Sequence, residues 1–155
     1  MDNPFLCGPK ALGQHWRALR ERLTADMTDA EQLDIVARFW SMSPISPPFL
    51  DWDHPNAWPD PWELMSEMTF DVSSKALGME YTLMLGHDRR WTPDRMRLSL
   101  VCMADKSQQF ITLVADDAWL LNYDHRAAVT VDNAMKELVI QQRYEYINKV
   151  HRILD

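Results

Sequence analysis

The chain has 155 residues, 46% of them hydrophobic, and carries a formal charge of −7 with a pI near 5.1. That length suits one domain spanning 1–155 with a core large enough to need no disulfide staples, and the acidic balance argues against partners that present phosphate backbones. No apolar run reaches the roughly 18 residues of a membrane span, and the N-terminal stretch lacks a signal-peptide core, so a reduced, cytosolic chain is expected.

Residues 1–9 contain Pro4, Gly8 and Pro9 and read as an irregular arm. The segment 10–42 reads as helical. Leu12, Trp16, Leu19 and Leu23 recur at helical spacing over Lys10 to Leu23. Thr28 followed by Glu31 forms a capping-box pattern ahead of the stripe Leu33, Val36, Ala37 and Trp40. Between 43 and 61 stand Pro44, Pro47, Pro48, Pro55 and Pro59, with Pro61 closing the run, which excludes a regular element. Phe49, Leu50, Trp52 and Trp58 make the same stretch too apolar for a flexible linker, so it reads as an ordered loop over the core.

The remainder, 62–155, holds a central helix, an antiparallel sheet and a C-terminal tail. Asp60 and Pro61 suit the start of a short helix. Ser73 or Ser74 can cap a helix over Lys75 to Leu85, apolar nearly all round and therefore buried, with Gly86 ending it. Residues 95–103 alternate with period two. Residues 109–115 read as a second strand, Asp116-Asp117 as a turn, and 118–123 as a third strand. A short helix over Asp132 to Leu138 follows, and Val139 to Lys149 fits either helix or strand. Helices first, sheet second and one buried helix between them describe an α+β fold.

Individual residues offer little independent chemistry. Cys7 and Cys102 stand far apart, and the five His (15, 54, 87, 125 and 151) are scattered, so neither a metal site nor a cofactor is expected. Cys102 reads as a small buried hydrophobe on a strand. Ser73 reads as a cap or, at a helix start, as a nucleophile with His125 as its base. Asp51, Asp53, His54 and Asp60 form an acidic cluster that reads as loop turns or a hard-cation site. Asp71 with Glu63 or Glu67 could pair as carboxylates. The basic clusters Arg17–Arg20–Arg22 and Arg89–Arg90–Arg95–Arg97 read as solvated faces. Phe49, Trp52, Trp58 and Trp62 could cover the domain's own core or dock a partner, since Trp dominates interface hot spots.

The order of these elements resembles the transglutaminase-like, papain-type cysteine peptidase superfamily over roughly residues 30–125, in particular its compact bacterial branch. In that family a helix is followed by an extended loop holding an Asp, here Asp51 or Asp53. A Trp-x-x-Pro-x-Glu run then precedes the nucleophile helix, here Trp58-Pro59-Asp60-Pro61-Trp62-Glu63. The nucleophile helix there runs Gly-Asp-Cys-x-Asp-Tyr-Ala and continues to Tyr-x-Leu. Ala76, Tyr81 and Leu83 keep step with it, which sets Phe70 to Lys75 over the catalytic segment. The family's His opens a strand matched by Phe110 to Val114, and its Asp lies on the next strand, matched by Leu120 to Tyr123.

Carried over position by position, the resemblance sets the cysteine on Val72, or on Asp71 or Ser73 if the register slips by one. It sets the histidine on Phe110 or Gln109, and the acid on Asn122. It therefore implies an inactive copy, since valine supplies no thiolate and phenylalanine no base. Degenerate domains of this kind occur in bacteriophage virion proteins. The expectation is a non-enzymatic neck, tail or baseplate component, assembled in the host cytoplasm among other protein subunits. The other readings are an active hydrolase or transferase using Ser73 or Cys102 with His125, and a small protein-binding adaptor.

Overall fold

Capping chemistry starts most of the helices. In the computed structural model, which describes residues 3–124 and 126–154, Thr28 accepts a hydrogen bond from the Glu31 amide. The Glu31 carboxylate in turn accepts from the Thr28 amide, opening α2 (Asp29–Trp40). Asp60 and Glu63 do the same for α3 (Pro61–Glu67), with Pro61 in the first turn. Helix α1 (Pro9–Arg22) follows Gly8, whose φ of 91° suits a residue without a Cβ. Helix α4 (Val72–Met84) is capped by Asp71, not by Ser73 or Ser74. Its carboxylate accepts the Ser74 amide at 2.6 Å, and both serines lie inside the first turn. Leu85 closes α4, and Gly86 beyond it has no left-handed backbone but lies close against Leu23.

The second half forms a six-stranded antiparallel sheet in the order β4-β3-β2-β1-β5-β6. Its strands are β1 (Met96–Met103), β2 (Gln109–Ala115), β3 (Trp119–Leu121), β4 (Val129–Thr130), β5 (Leu138–Ile147) and β6 (Val150–Ile153). Asp116 and Asp117, with φ of 54° and 52°, are the central residues of the turn between β2 and β3, which the Ala118 amide closes on the Ala115 carbonyl. Asn148 and Lys149, with φ of 53° and 64°, make the matching turn between β5 and β6. The tail is thus a hairpin. The short helix expected over 132–138 is only α5 (Val131–Ala134), because Leu138 already opens β5.

The two faces of the sheet bury different cores. Leu98, Leu100, Ile111, Leu113 and Leu121 pack against α1 to α4, whereas Val101, Phe110, Val114 and Leu120 pack with Ala134 and Leu138 around α5. A register shift opposite Leu100 and Val101 leaves Gln141 as an extra residue in β5. That bulge lets β5 send Leu138 and Ile140 into the smaller core and Tyr144 and Tyr146 into the larger one.

Residues 73–83 of α4 are all buried, and Thr82 and Glu80 find their partners inside the fold. The Thr82 hydroxyl accepts from Trp16 Nε1 at 2.9 Å and Trp40 Nε1 at 3.0 Å, and donates to the Gly78 carbonyl at 2.6 Å. One hydroxyl thus holds α1 and α2 to α4. A Cβ at Gly78 would stand 2.4 Å from the Trp40 ring, so that position has room only for hydrogen. Glu80 meets His151 of β6 at 2.5 Å, both almost fully buried, which ties the sheet edge to the same helix.

The second basic cluster is not simply solvated. Arg90 pairs with Asp29 and Asp88, and Arg95 pairs with Asp29 and Asp116 while lying over the Trp91 ring, so the two arginines bind α2 to the strands. Burial alone would raise the Asp88 carboxyl, but hydrogen bonds from Arg90 and Gln32 outweigh it and hold the group below its ordinary range.

Candidate functional site

Strand β3 stops at Leu121 while β2 continues back to Gln109, which leaves an unpaired stretch on the β2 edge. The N-terminus of α4 closes that gap. The Ile111 amide donates to Ser73 Oγ at 3.2 Å, and Asn122 Nδ2 donates to the carbonyls of Ile111 and Val72, each at 2.8 Å. Asn122 reaches both because its backbone is left-handed, with φ of 66°, a conformation that asparagine tolerates. On the other side of the helix start, Asp71 accepts the amides of Phe49 and Leu50, at 2.7 and 3.2 Å, which pins the proline-rich loop.

Between loop, helix and sheet lies a cleft of about 370 Å³. Its floor and walls include Trp40, Ile45, Trp52, Val72, Met79 and Phe110. Its polar groups come from Ser41, Gln108, Gln109, Asn122, Asp124 and Lys75.

Val72, Phe110 and Asn122 all border this cleft, but they do not face one another equally. Val72 is the first residue of α4 and is 37% exposed. Phe110 lies on the sheet face turned away from α4 and packs in the smaller core, so its ring does not oppose Val72. The alternation of β2 sets Gln109 on the helix side, where its carboxamide bonds Gln141 of β5. Asn122 holds two main-chain carbonyls, a positioning tie with no acidic oxygen to offer.

The remaining candidates are dispersed. Ser73 Oγ is buried and accepts from both Ile111 N and Trp52 Nε1. Cys102 is half-buried rather than fully enclosed, and its thiol donates to the Met103 carbonyl at 3.4 Å. His125 lies outside the described residues. Among the described residues no histidine lines the cleft, and no three His, Cys, Asp or Glu side chains converge to hold a metal ion. Asp51 instead pairs with His54 at 2.8 Å, which holds its carboxyl below the ordinary range, and Asp60 caps α3.

The four loop aromatics do not form one surface. Trp58 is buried against Tyr144 and His151 and donates to the Asp51 carbonyl, so it is not available to a partner. Trp52 is half-buried, and its carbonyl accepts from Gln142 and from Tyr144, whose hydroxyl is pushed up to about 12 by burial. Phe49 and Trp62 remain 42% and 59% exposed, with Trp62 set edge-on against Trp16.

The residue that sequence reasoning passed over is Lys75. It is only 5% exposed yet lines the cleft on the same face of α4 as Val72 and Met79. Among the described residues no carboxylate lies within 4 Å of its ammonium and no group hydrogen-bonds it. Burial lowers its pKa. The available signal was a single cation in a helix whose only other charged residue is Glu80.

No protein-family model matches the chain, and no curated protein matches it in sequence. Solved structures do match in fold. Legionella pneumophila LapG in its calcium-bound form superposes with a TM-score of 0.70 at 14% identity, covering 94% of this chain and 80% of that one. The EGTA-treated form gives the same score and identity over 95% of this chain and 78% of LapG. A third LapG structure covers 94% and 77%. The chain thus shares the fold of LapG, an α+β arrangement of helices on an antiparallel sheet.

Proposed function

We propose that this chain is a non-catalytic binding and assembly subunit built on a cysteine-protease fold. The observation that carries the reading is the first turn of α4. Where the resemblance asks for a thiol at the mouth of the cleft stands Val72, exposed and inert. The chemistry also needs an imidazole to take the thiol proton and a third group to orient that ring. The facing strand offers Gln109, and the third position offers Asn122, already bound to two carbonyls. Ser73 is no substitute, because its oxygen sits below the surface as an acceptor for two N–H groups. The calcium of the LapG structure has no counterpart in this reading, since no acidic cluster assembles among the described residues.

The setting we favour is a bacteriophage particle, with the chain as a neck, tail or baseplate subunit assembled in the host cytoplasm. Support comes from side chains suited to protein contact, namely the exposed Trp62 and Phe49 and the apolar terminal hairpin of Ile147, Val150 and Ile153. Incubation of the purified protein with casein and fluorogenic peptides tests the first half of the proposal. No cleavage is expected. Cleavage abolished by Ser73→Ala or Cys102→Ala would establish the hydrolase reading instead. Capsid, portal or tail genes alongside this one would support the second half, and an isolated metabolic operon would oppose it.

A further inference from the structure

We infer that the cleft is a binding site for a carboxylate carried on an apolar body, with the Lys75 ammonium as its counter-charge. The inference rests on reading the cleft as non-catalytic and adds the chemistry of what it holds. Lys75 is 5% exposed with no anion beside it among the described residues, yet its ammonium is not sealed from solvent, and the cleft it lines is where a counter-charge can reach it. Here the vacant side of the ammonium borders a cleft large enough for a small ligand. The walls Trp40, Ile45, Trp52, Val72 and Met79 suit an aliphatic or aromatic body.

The helix start adds to the attraction. The Val72 and Ser73 amides are the first two of α4, donate to no acceptor among the described residues, and lie at the positive end of a 13-residue helix. Two native carboxylates also border the cleft, and neither answers Lys75. Asp71 is engaged by the amides of Ser74, Phe49 and Leu50. Asp124 accepts the Arg126 amide at the exposed rim. The amides of Gln108 and Gln109 could take a second polar group on the ligand. Such a carboxylate could belong to a free acid or to the C-terminal residue of a peptide with an apolar side chain.

The test is a titration of 15N-labelled protein, followed by amide shifts, with four probes. These are 4-methylpentanoate, phenylacetate, acetyl-Gly-Leu as the free acid, and acetyl-Gly-Leu amide. At least one carboxylate should give saturable shifts at Val72, Ser73 and Asn122, and the amide should bind about tenfold or more weakly, as loss of a charged hydrogen bond implies. Free acids binding without the peptide acid would make the natural ligand a small molecule. The reverse would make it a chain terminus.

Lys75→Met should abolish the shifts while raising the melting temperature, because it keeps the shape of the stem and removes a partnerless charge. Lys75→Gln serves as a second variant if the first fails to fold. Binding unchanged in the folded variant, or no saturable shift with any carboxylate, would overturn the inference. Mass spectrometry of the recovered peptide separates the two readings. Peptide cleavage would sink the non-catalytic reading, whereas Lys75-independent binding of intact peptide would sink only this one.

Discussion

Replacing Thr82 by valine should cost more than any other change of equal size in the helical layer. Valine matches threonine in shape, so no cavity opens, but the hydroxyl that accepts from Trp16 and Trp40 is lost. Both indoles are almost fully buried, at 2% and 0% exposure, and the Gly78 carbonyl loses its second donor as well. An unsatisfied buried donor costs about 1–3 kcal/mol, so two of them cost about 2–6 kcal/mol, a large part of the roughly 5–15 kcal/mol that holds a domain together. For a chain of this size that lowers the melting temperature by roughly 5–20 °C. Urea unfolding followed by tryptophan fluorescence measures the loss, with Thr82→Ser as the control that keeps the hydroxyl. If Thr82→Val loses under about 1 kcal/mol, or no more than Thr82→Ser, the hydroxyl does not hold the two tryptophans and the packing explanation for α4 fails.

Gly78→Ala should destabilise by about 1–3 kcal/mol through its clash with the Trp40 ring, outweighing the roughly 1 kcal/mol that alanine gains in a helix; urea midpoints decide, and a stabilised variant would refute the contact. Asn122→Ala should free the α4 N-terminus from the β2 edge, and hydrogen exchange at Ile111 should accelerate with little change at β5. The lowered pKa of Lys75 gives a pH signature. Between its folded value and the ordinary 10.5 the unfolded chain binds more protons, so wild-type stability should rise relative to Lys75→Met as pH climbs through that window. Parallel stability curves for the two proteins from pH 7 to 10.5 would remove the buried charge from the account.

Thr28, Glu31 and Asp60 were legible because a cap is a local event, settled by residues three apart. The sheet was legible as far as Leu121 for a similar reason, since alternation and turn residues are also local. The cap of α4 was not. Phe70-Asp71-Val72-Ser73-Ser74 offers three cap residues within four positions, and the choice of Asp71 is made by the distant amides of Phe49 and Leu50, which occupy its second oxygen. The tail was ambiguous because the bulge at Gln141 breaks its alternation midway. The same parity decides that Gln109 rather than Phe110 faces α4, and only the pairing with β1 reveals it. Lys75 escaped notice because a lone lysine on a helix is ordinarily at the surface, and its burial depends on a loop and a strand far away in the chain.

Site-resolved labelling bears most directly on whether the cleft is catalytic. The native protein is exposed to a serine-directed fluorophosphonate and, separately, to a dilute thiol alkylator, and modified residues are located by mass spectrometry. A cleft without an activated nucleophile gives no adduct at residues 71–74, and only slow, ordinary alkylation at the exposed Cys7. Fast labelling of Ser73 or Cys102 that disappears on denaturation would contradict it and return this chain to the hydrolases.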